Sequence, residues 1–161
     1  MIDSKVNNSR IIEILLDERT VVRRNPDVEQ ERELAIYDIL EKNYFSPLSN
    51  EFGPFKLKLG LEEGKVLFDV KDNLDNNLQE IKLDLKPLDT IIRDYFIICN
   101  RYYEAIKTSP LDKIESIDIG RRGIQDAGAD ALNSGLVNFV EIDFDTARRL
   151  FTLICVLQIH A

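Results

Sequence analysis

Apolar and polar residues alternate along this chain with two periods, which divide it into a strand-forming middle and helix-forming flanks. In the middle the period is two. Phe55, Leu57, Leu59 and Leu61 share one side of a first run, and Val66, Phe68 and Val70 share one side of a second. In a third, Ile81, Leu83 and Leu85 alternate with Lys82, Asp84 and Lys86. Successive side chains of a strand point to opposite faces, so each run predicts a strand with one apolar and one charged face. Gly64 closes a tight turn after the first run, and Asp72-Asn73-Leu74-Asp75-Asn76-Asn77 forms the loop after the second. The three strands form an antiparallel meander with helices over a single side.

Upstream, Ile11, Ile12, Ile14, Leu15 and Leu16 make a β-branched run between Arg10 and Asp17 that is too short for an independent helix and predicts another strand. Asn25 caps and Pro26 opens a helix in which Val28, Ala35, Ile36, Ile39 and Leu40 recur at helical spacing until about Asn43. Downstream, Pro87 starts a regular helix with Leu88, Ile92, Tyr95, Cys99, Tyr102 and Ile106 in one stripe, which makes it the expected spine of the core. Ser109-Pro110-Leu111-Asp112 supplies a cap, a first-turn proline and an acid for the next helix. Gly120 and Gly123 interrupt that helix or mark close packing, and it fades at Asn133-Ser134-Gly135. Val137 to Asp143 is a short connection or strand, and Asp143 caps a last helix that is apolar on nearly every side beyond its first turn. The expected class is α+β, with a small antiparallel sheet of about four strands and three to five helices packed on one face.

With 161 residues, 44% of them hydrophobic, the chain is long enough for one good core, so a single domain over 1–161 is expected, with a disordered leader over 1–9. A net charge of −8 argues against nucleic acid as a partner, because phosphate binding rests on clustered Lys and Arg. No signal-peptide pattern opens the chain, and the apolar run Leu150 to Leu157 falls well short of the roughly 20 residues that span a bilayer. A cytoplasmic protein is expected. Cys99 and Cys155 lie in apolar helical patterns without a second ligand at metal-binding spacing, which reads as two reduced core thiols.

The lone histidine, His160, stands next to the last residue, a poor place from which to position an imidazole. Neither glycine-rich nucleotide-binding loop occurs, and no H-E-x-x-H pattern is present, so no cofactor and no metal are expected from motifs. Asp94, Asp118, Asp143 and Asp145 have the chemistry for a carboxylate pair or a divalent cation. Against that reading, Asp143 and Asp145 already have roles as the cap and first-turn acid of the last helix. Tyr102 and Tyr103 read as core or interface residues rather than base-stacking platforms.

Three arginine doublets stand out in this acidic chain: Arg23-Arg24, Arg121-Arg122 and Arg148-Arg149. The third lies near a helix N-terminus, where positive charge opposes the macrodipole by roughly 0.3 to 1 kcal/mol each, so an acid or a bound anion would relieve it. Asp145 stands at salt-bridge spacing from both residues. One reading is therefore structural ion pairing. The other is an anion site in which Arg121 or Arg122 and Arg148 or Arg149 clamp a carboxylate or phosphate, assisted by backbone amides at Gly123. Neighbouring helical residues point about 100° apart, so one member of each doublet is expected to face such a site.

Several longer runs carry a resemblance. Val28-Glu29-Gln30-Glu31-Arg32, Ala35-Ile36-Tyr37-Asp38, Asp94-Tyr95-Phe96, Tyr102-Tyr103-Glu104-Ala105-Ile106, Gly120-Arg121-Arg122-Gly123 and the closing stretch from Glu141 to Leu157 resemble the bacterial uncharacterised protein family 0262. The resemblance covers roughly Ile11 to Leu157 and brings no activity, cofactor or catalytic residue with it. Two functional readings follow. The first is a non-enzymatic cytosolic protein-binding or regulatory domain, since no nucleophile or general base is identifiable. The second is a small enzyme or sensor that binds a phosphorylated or carboxylated metabolite through the arginine doublets. A concave basic pocket favours the second and a flat apolar patch the first.

Overall fold

The computed structural model describes residues 8–17 and 26–158. Asn25, the Arg23-Arg24 doublet and His160 lie outside the described residues, as does most of the leader expected over 1–9. Ser9 is buried, and its carbonyl accepts a 2.9 Å hydrogen bond from the Phe45 N–H.

The meander forms as the alternation predicts. Strands β3 (Phe55–Glu62), β4 (Lys65–Asp72) and β5 (Asn77–Asp84) pair antiparallel, with Phe55, Leu57, Leu59, Val66, Phe68, Val70, Ile81 and Leu83 buried on one face. Glu63 and Gly64, both at positive φ, make the tight turn between Glu62 and Lys65. The Asp72 carboxylate organises the next turn by accepting from the Leu74 and Asn76 N–H groups at 2.9 Å.

Strand β1 (Ile11–Leu16) joins the outer side of β3 and gives a four-stranded sheet in the order β1-β3-β4-β5. Its pairing with β3 is parallel, so the sheet is mixed where an antiparallel one was expected. Parallel strands need a long crossover, which helix α1 (Pro26–Glu41) and strand β2 (Phe45–Pro47) supply. The β1–β3 register slips between Ile11 and Glu13, leaving Ile12 unpaired. The slip explains why Ile11 and Ile14 are both buried in a strand whose faces should repeat every second residue.

A 3₁₀ turn over Lys86–Leu88 carries Pro87, and helix α2 (Asp89–Thr108) begins after it. Helix α3 (Leu111–Leu136) runs unbroken through both glycines. At Gly120 a Cβ would lie 2.8 Å from Ile98 Cδ1, so this glycine lets α2 and α3 approach, whereas Gly123 faces open space. Ser109 does not cap α3. It ends α2, and the Pro110 carbonyl accepts from the Lys113 and Ile114 N–H groups instead.

Strand β6 (Val140–Ile142) pairs antiparallel with β2, and Asp143 caps helix α4 (Phe144–Leu157) by accepting from the Thr146 N–H at 3.1 Å. From Thr146 onward every α4 residue except Arg148 and Arg149 is buried. Helix α4 touches α1, α2, α3 and β3, and so takes the central place that the α2 stripe suggested for α2. The α2 stripe leaves the core at Tyr102 and Ile106, the latter half exposed. Among the described residues no helix is long and apolar enough to cross a membrane.

Candidate functional site

A cleft of about 610 Å³ opens where the four helices meet. Helix periodicity explains each contribution. From α1 come Asp27, Gln30, Glu31, Leu34, Ala35 and Asp38, whose three-and-one spacing keeps them on one side of a helix. From α3 come Asp118, Arg121, Arg122 and Gln125, again one face; from α4 come Arg148, Arg149 and Thr152; Tyr102, Tyr103 and Ile106 of α2 complete the wall. Gln125 ties α3 to its neighbours, with Nε2 lying 3.3 Å from the Tyr95 hydroxyl and 3.5 Å from Thr152 Oγ1.

Both members of the Arg121-Arg122 and Arg148-Arg149 doublets line this cleft, against the expectation that only one of each would. Arg121 and Arg122 lie one helical turn beyond Asp118, and both reach back to it. Arg121 donates from Nε and Nη2 to Asp118 Oδ1 at 3.2 and 2.9 Å, and Arg122 Nη2 lies 3.2 Å from Oδ2. Arg121 is further held by the Tyr102 ring, 4.3 Å below its guanidinium carbon, and by Glu31 Oε1, 4.0 Å from its Nη1. Burial works against the Arg121 charge, but the bond to Asp118 and the carboxylates of Glu31 and Asp118 outweigh it and hold its pKa above the ordinary value. For this residue the ion-pairing reading describes the geometry.

The Arg148-Arg149 doublet is less occupied. Arg148 Nη2 lies 3.7 Å from the exposed Asp145, while Arg148 Nε is buried with no hydrogen-bond partner among the described residues. Arg149 is half-buried, and among the described residues it has no ion pair. Gly123 does not line the cleft. It lies within α3, where its N–H is engaged by the helix ladder and is not available to an anion.

Between the cleft and a second cavity of about 300 Å³ stand Glu31 and Tyr103, which line both. The Tyr103 hydroxyl donates to Glu31 Oε2 at 2.5 Å, and Glu31 Oε1 is buried without a hydrogen-bond partner among the described residues. Burial pushes the Glu31 carboxyl above the usual carboxylate range, opposed by the Tyr103 hydrogen bond and the Arg121 charge. Burial and the adjacent carboxylate push the Tyr103 phenol up as well, so it stays a neutral donor. Cys99 and Cys155 line the inner cavity as free, buried thiols; burial drives Cys99 up to about 12 and Cys155 well above its ordinary value.

The acidic set does not assemble. Asp118 binds arginines, Asp143 caps α4, Asp145 pairs with Arg148, and no metal-binding group of three or more His, Cys, Asp or Glu side chains occurs among the described residues. Glu31 and Tyr103 are the site residues that motif reasoning misses. The available signal was an acid on the buried side of α1 and a tyrosine one position off the α2 stripe.

The model of an uncharacterised protein family, UPF0262, matches residues 8–160. A UPF0262 protein of Rhodopseudomonas palustris strain HaA2 is 48% identical over 152 residues, covering 94% of this chain and 93% of that one. Similar proteins of the same name occur in Nitrobacter hamburgensis, 46% identical over 94% of this chain and 93% of the relative, and in Paramagnetospirillum magneticum, 45% identical over 96% and 98%. No solved structure matches. A match that runs from before β1 to beyond α4, and so takes in every helix that builds the cleft, places this chain in the uncharacterised bacterial protein family UPF0262.

Proposed function

We propose that the four-helix cleft binds a small anionic metabolite, carboxylated or phosphorylated, and that the protein acts in the cytosol as a sensor or small enzyme of that metabolite. The observation that carries this reading is the convergence of Arg121, Arg122, Arg148 and Arg149 from two helices on one concavity. Its volume falls within the roughly 300 to 1,000 Å³ usual for small-molecule sites. Among the described residues, Arg149 and the unpartnered Nε of Arg148 are the donors free to meet the ligand, while Arg121, clamped by Asp118 and Tyr102, holds the shape of the wall. Arginine suits this task because its fixed fork of donors matches carboxylate and phosphate oxygens.

The test is thermal unfolding of the full chain against a panel of carboxylates, phosphate esters and nucleotides, with Arg148→Ala and Arg149→Ala as controls. Ligand at about a hundred times its dissociation constant adds about 2.7 kcal/mol, or several degrees of midpoint. A shift for one anion class that disappears in both variants is the expected result. An unchanged midpoint with every compound would overturn the reading.

A protein-binding role rests on a different surface. Leu48, Val137 and Phe139 are exposed at one end of the β2–β6 ribbon, where the Leu48 N–H donates to the Phe139 carbonyl at 2.9 Å. That reading expects Val137→Asp to abolish co-purification of a partner without touching anion-induced stabilisation.

A further inference from the structure

Resting on the anion-site reading, we infer that the occupant of the cleft is zwitterionic, with an anionic group held by Arg148 and Arg149 and an ammonium group held by the acidic side of α1. The charges lining the cleft are segregated by element. Helix α1 brings Asp27, Glu31 and Asp38, and the four arginines all come from α3 and α4. Asp118, the one acid on the arginine side, is occupied by Arg121 and Arg122.

The α1 acids are not consumed in the same way. Asp27 and Asp38 have no ion pair among the described residues, and Glu31 has Arg121 only at 4.0 Å. A ligand bearing negative charge alone would gain from the arginines and lose to these carboxylates in the same low-dielectric concavity. One that carries both signs, spaced to match, gains from both sides.

The unpaired polar atoms point the same way. Two buried atoms of opposite character at this cleft lack a hydrogen-bond partner among the described residues: the donor Arg148 Nε and the acceptor Glu31 Oε1. A buried polar group without a partner costs free energy that a ligand atom of the complementary kind recovers. A carboxylate or phosphate oxygen complements the first and an ammonium N–H the second. Glu31 is already oriented for this, since its other oxygen is fixed by the Tyr103 hydroxyl. The chemical class is thus a small amino acid or an amino-substituted phosphate ester.

Matched probes titrated into the full chain by calorimetry decide the matter: β-alanine and 2-aminoethyl phosphate as zwitterions, propionate and ethyl phosphate as anions, propylamine as the cation. The expected result is at least about tenfold tighter binding of a zwitterion than of its matched anion. Asp38→Asn and Glu31→Gln should each narrow that gap without weakening the anion, and Arg149→Ala should weaken both. Asp38 sits at the half-buried edge of α1, so its variant keeps the test open if Glu31→Gln disturbs the fold. Equal affinity for zwitterion and anion would overturn the inference and leave the anion site standing. Binding of neither would remove the anion site too.

Discussion

The Tyr103 hydroxyl donates to Glu31 Oε2 at 2.5 Å, a bond that joins α2 to α1 at the boundary between the two cavities. Replacing Tyr103 by Phe removes the donor and leaves both oxygens of a buried carboxyl without a hydrogen bond. A stranded buried acceptor costs about 1 to 3 kcal/mol, and more where it is charged, so Tyr103→Phe should lower the stability measured by urea unfolding at neutral pH by at least about 1 kcal/mol. In a Glu31→Gln background the same change should cost less, because the stranded group is then neutral.

Glu31 also sets a pH dependence. Burial raises its folded-state pKa above the unfolded value, so the folded form holds its proton more tightly than the unfolded chain does. Stability contributed by this group is therefore complete at pH values below the ordinary carboxylate range and is lost as pH rises through the raised folded value. Glu31→Gln removes the titration but keeps an acceptor for Tyr103. Urea unfolding from pH 4 to pH 7 should show the variant gaining on the wild type as pH increases. A gap that shrinks over this range would contradict the burial argument.

Much of the fold is legible in the chain because strand and helix periods are local. Phe55 to Leu85 alternate cleanly since one sheet face meets helices and the other meets water. The parallel placement of β1 is not legible, because a short run such as Ile11 to Leu16 carries no mark of its partner's direction. The arginine doublets are visible as paired cations in an acidic chain, but their convergence depends on how α3 packs on α4, which is tertiary. Glu31 looks like one charge among many on α1, and only its burial against Tyr103 distinguishes it.

Two glycines of α3 should respond to alanine with opposite sign. At Gly128 a Cβ would lie 2.5 to 2.6 Å from ring carbons of Phe151, and that ring is fully buried and packed edge-on to Tyr95. Overpacking of this kind costs about 1 to 3 kcal/mol. Gly123 is exposed, and a Cβ there meets nothing within 4 Å, so Gly123→Ala should stabilise α3 by about 0.5 to 1 kcal/mol. Urea midpoints should fall for Gly128→Ala and rise for Gly123→Ala, and anion binding should be unchanged in the latter, since Gly123 does not line the cleft.

Asn43 closes the open edge of β1 as a neighbouring strand would. Its Oδ1 accepts from the Ile11 N–H at 2.7 Å, and its Nδ2 donates to the carbonyls of Ile11 at 3.0 Å and Ile39 at 2.7 Å. Asn43→Ala strands these backbone groups beside the buried Ile11 side chain, at about 1 to 3 kcal/mol for each group that water fails to reach. Asn43→Asp is the sharper test. The carboxylate still accepts from the Ile11 N–H but sets a charged oxygen against two carbonyls, which raises the folded-state pKa of the new acid. Stability of Asn43→Asp should therefore be greatest in acid, where the protonated carboxyl again donates, and should decline as pH rises through that raised value. If the Asp variant proved as stable at neutral pH as at pH 4, the two donor bonds of Asn43 would not be supporting the edge of β1.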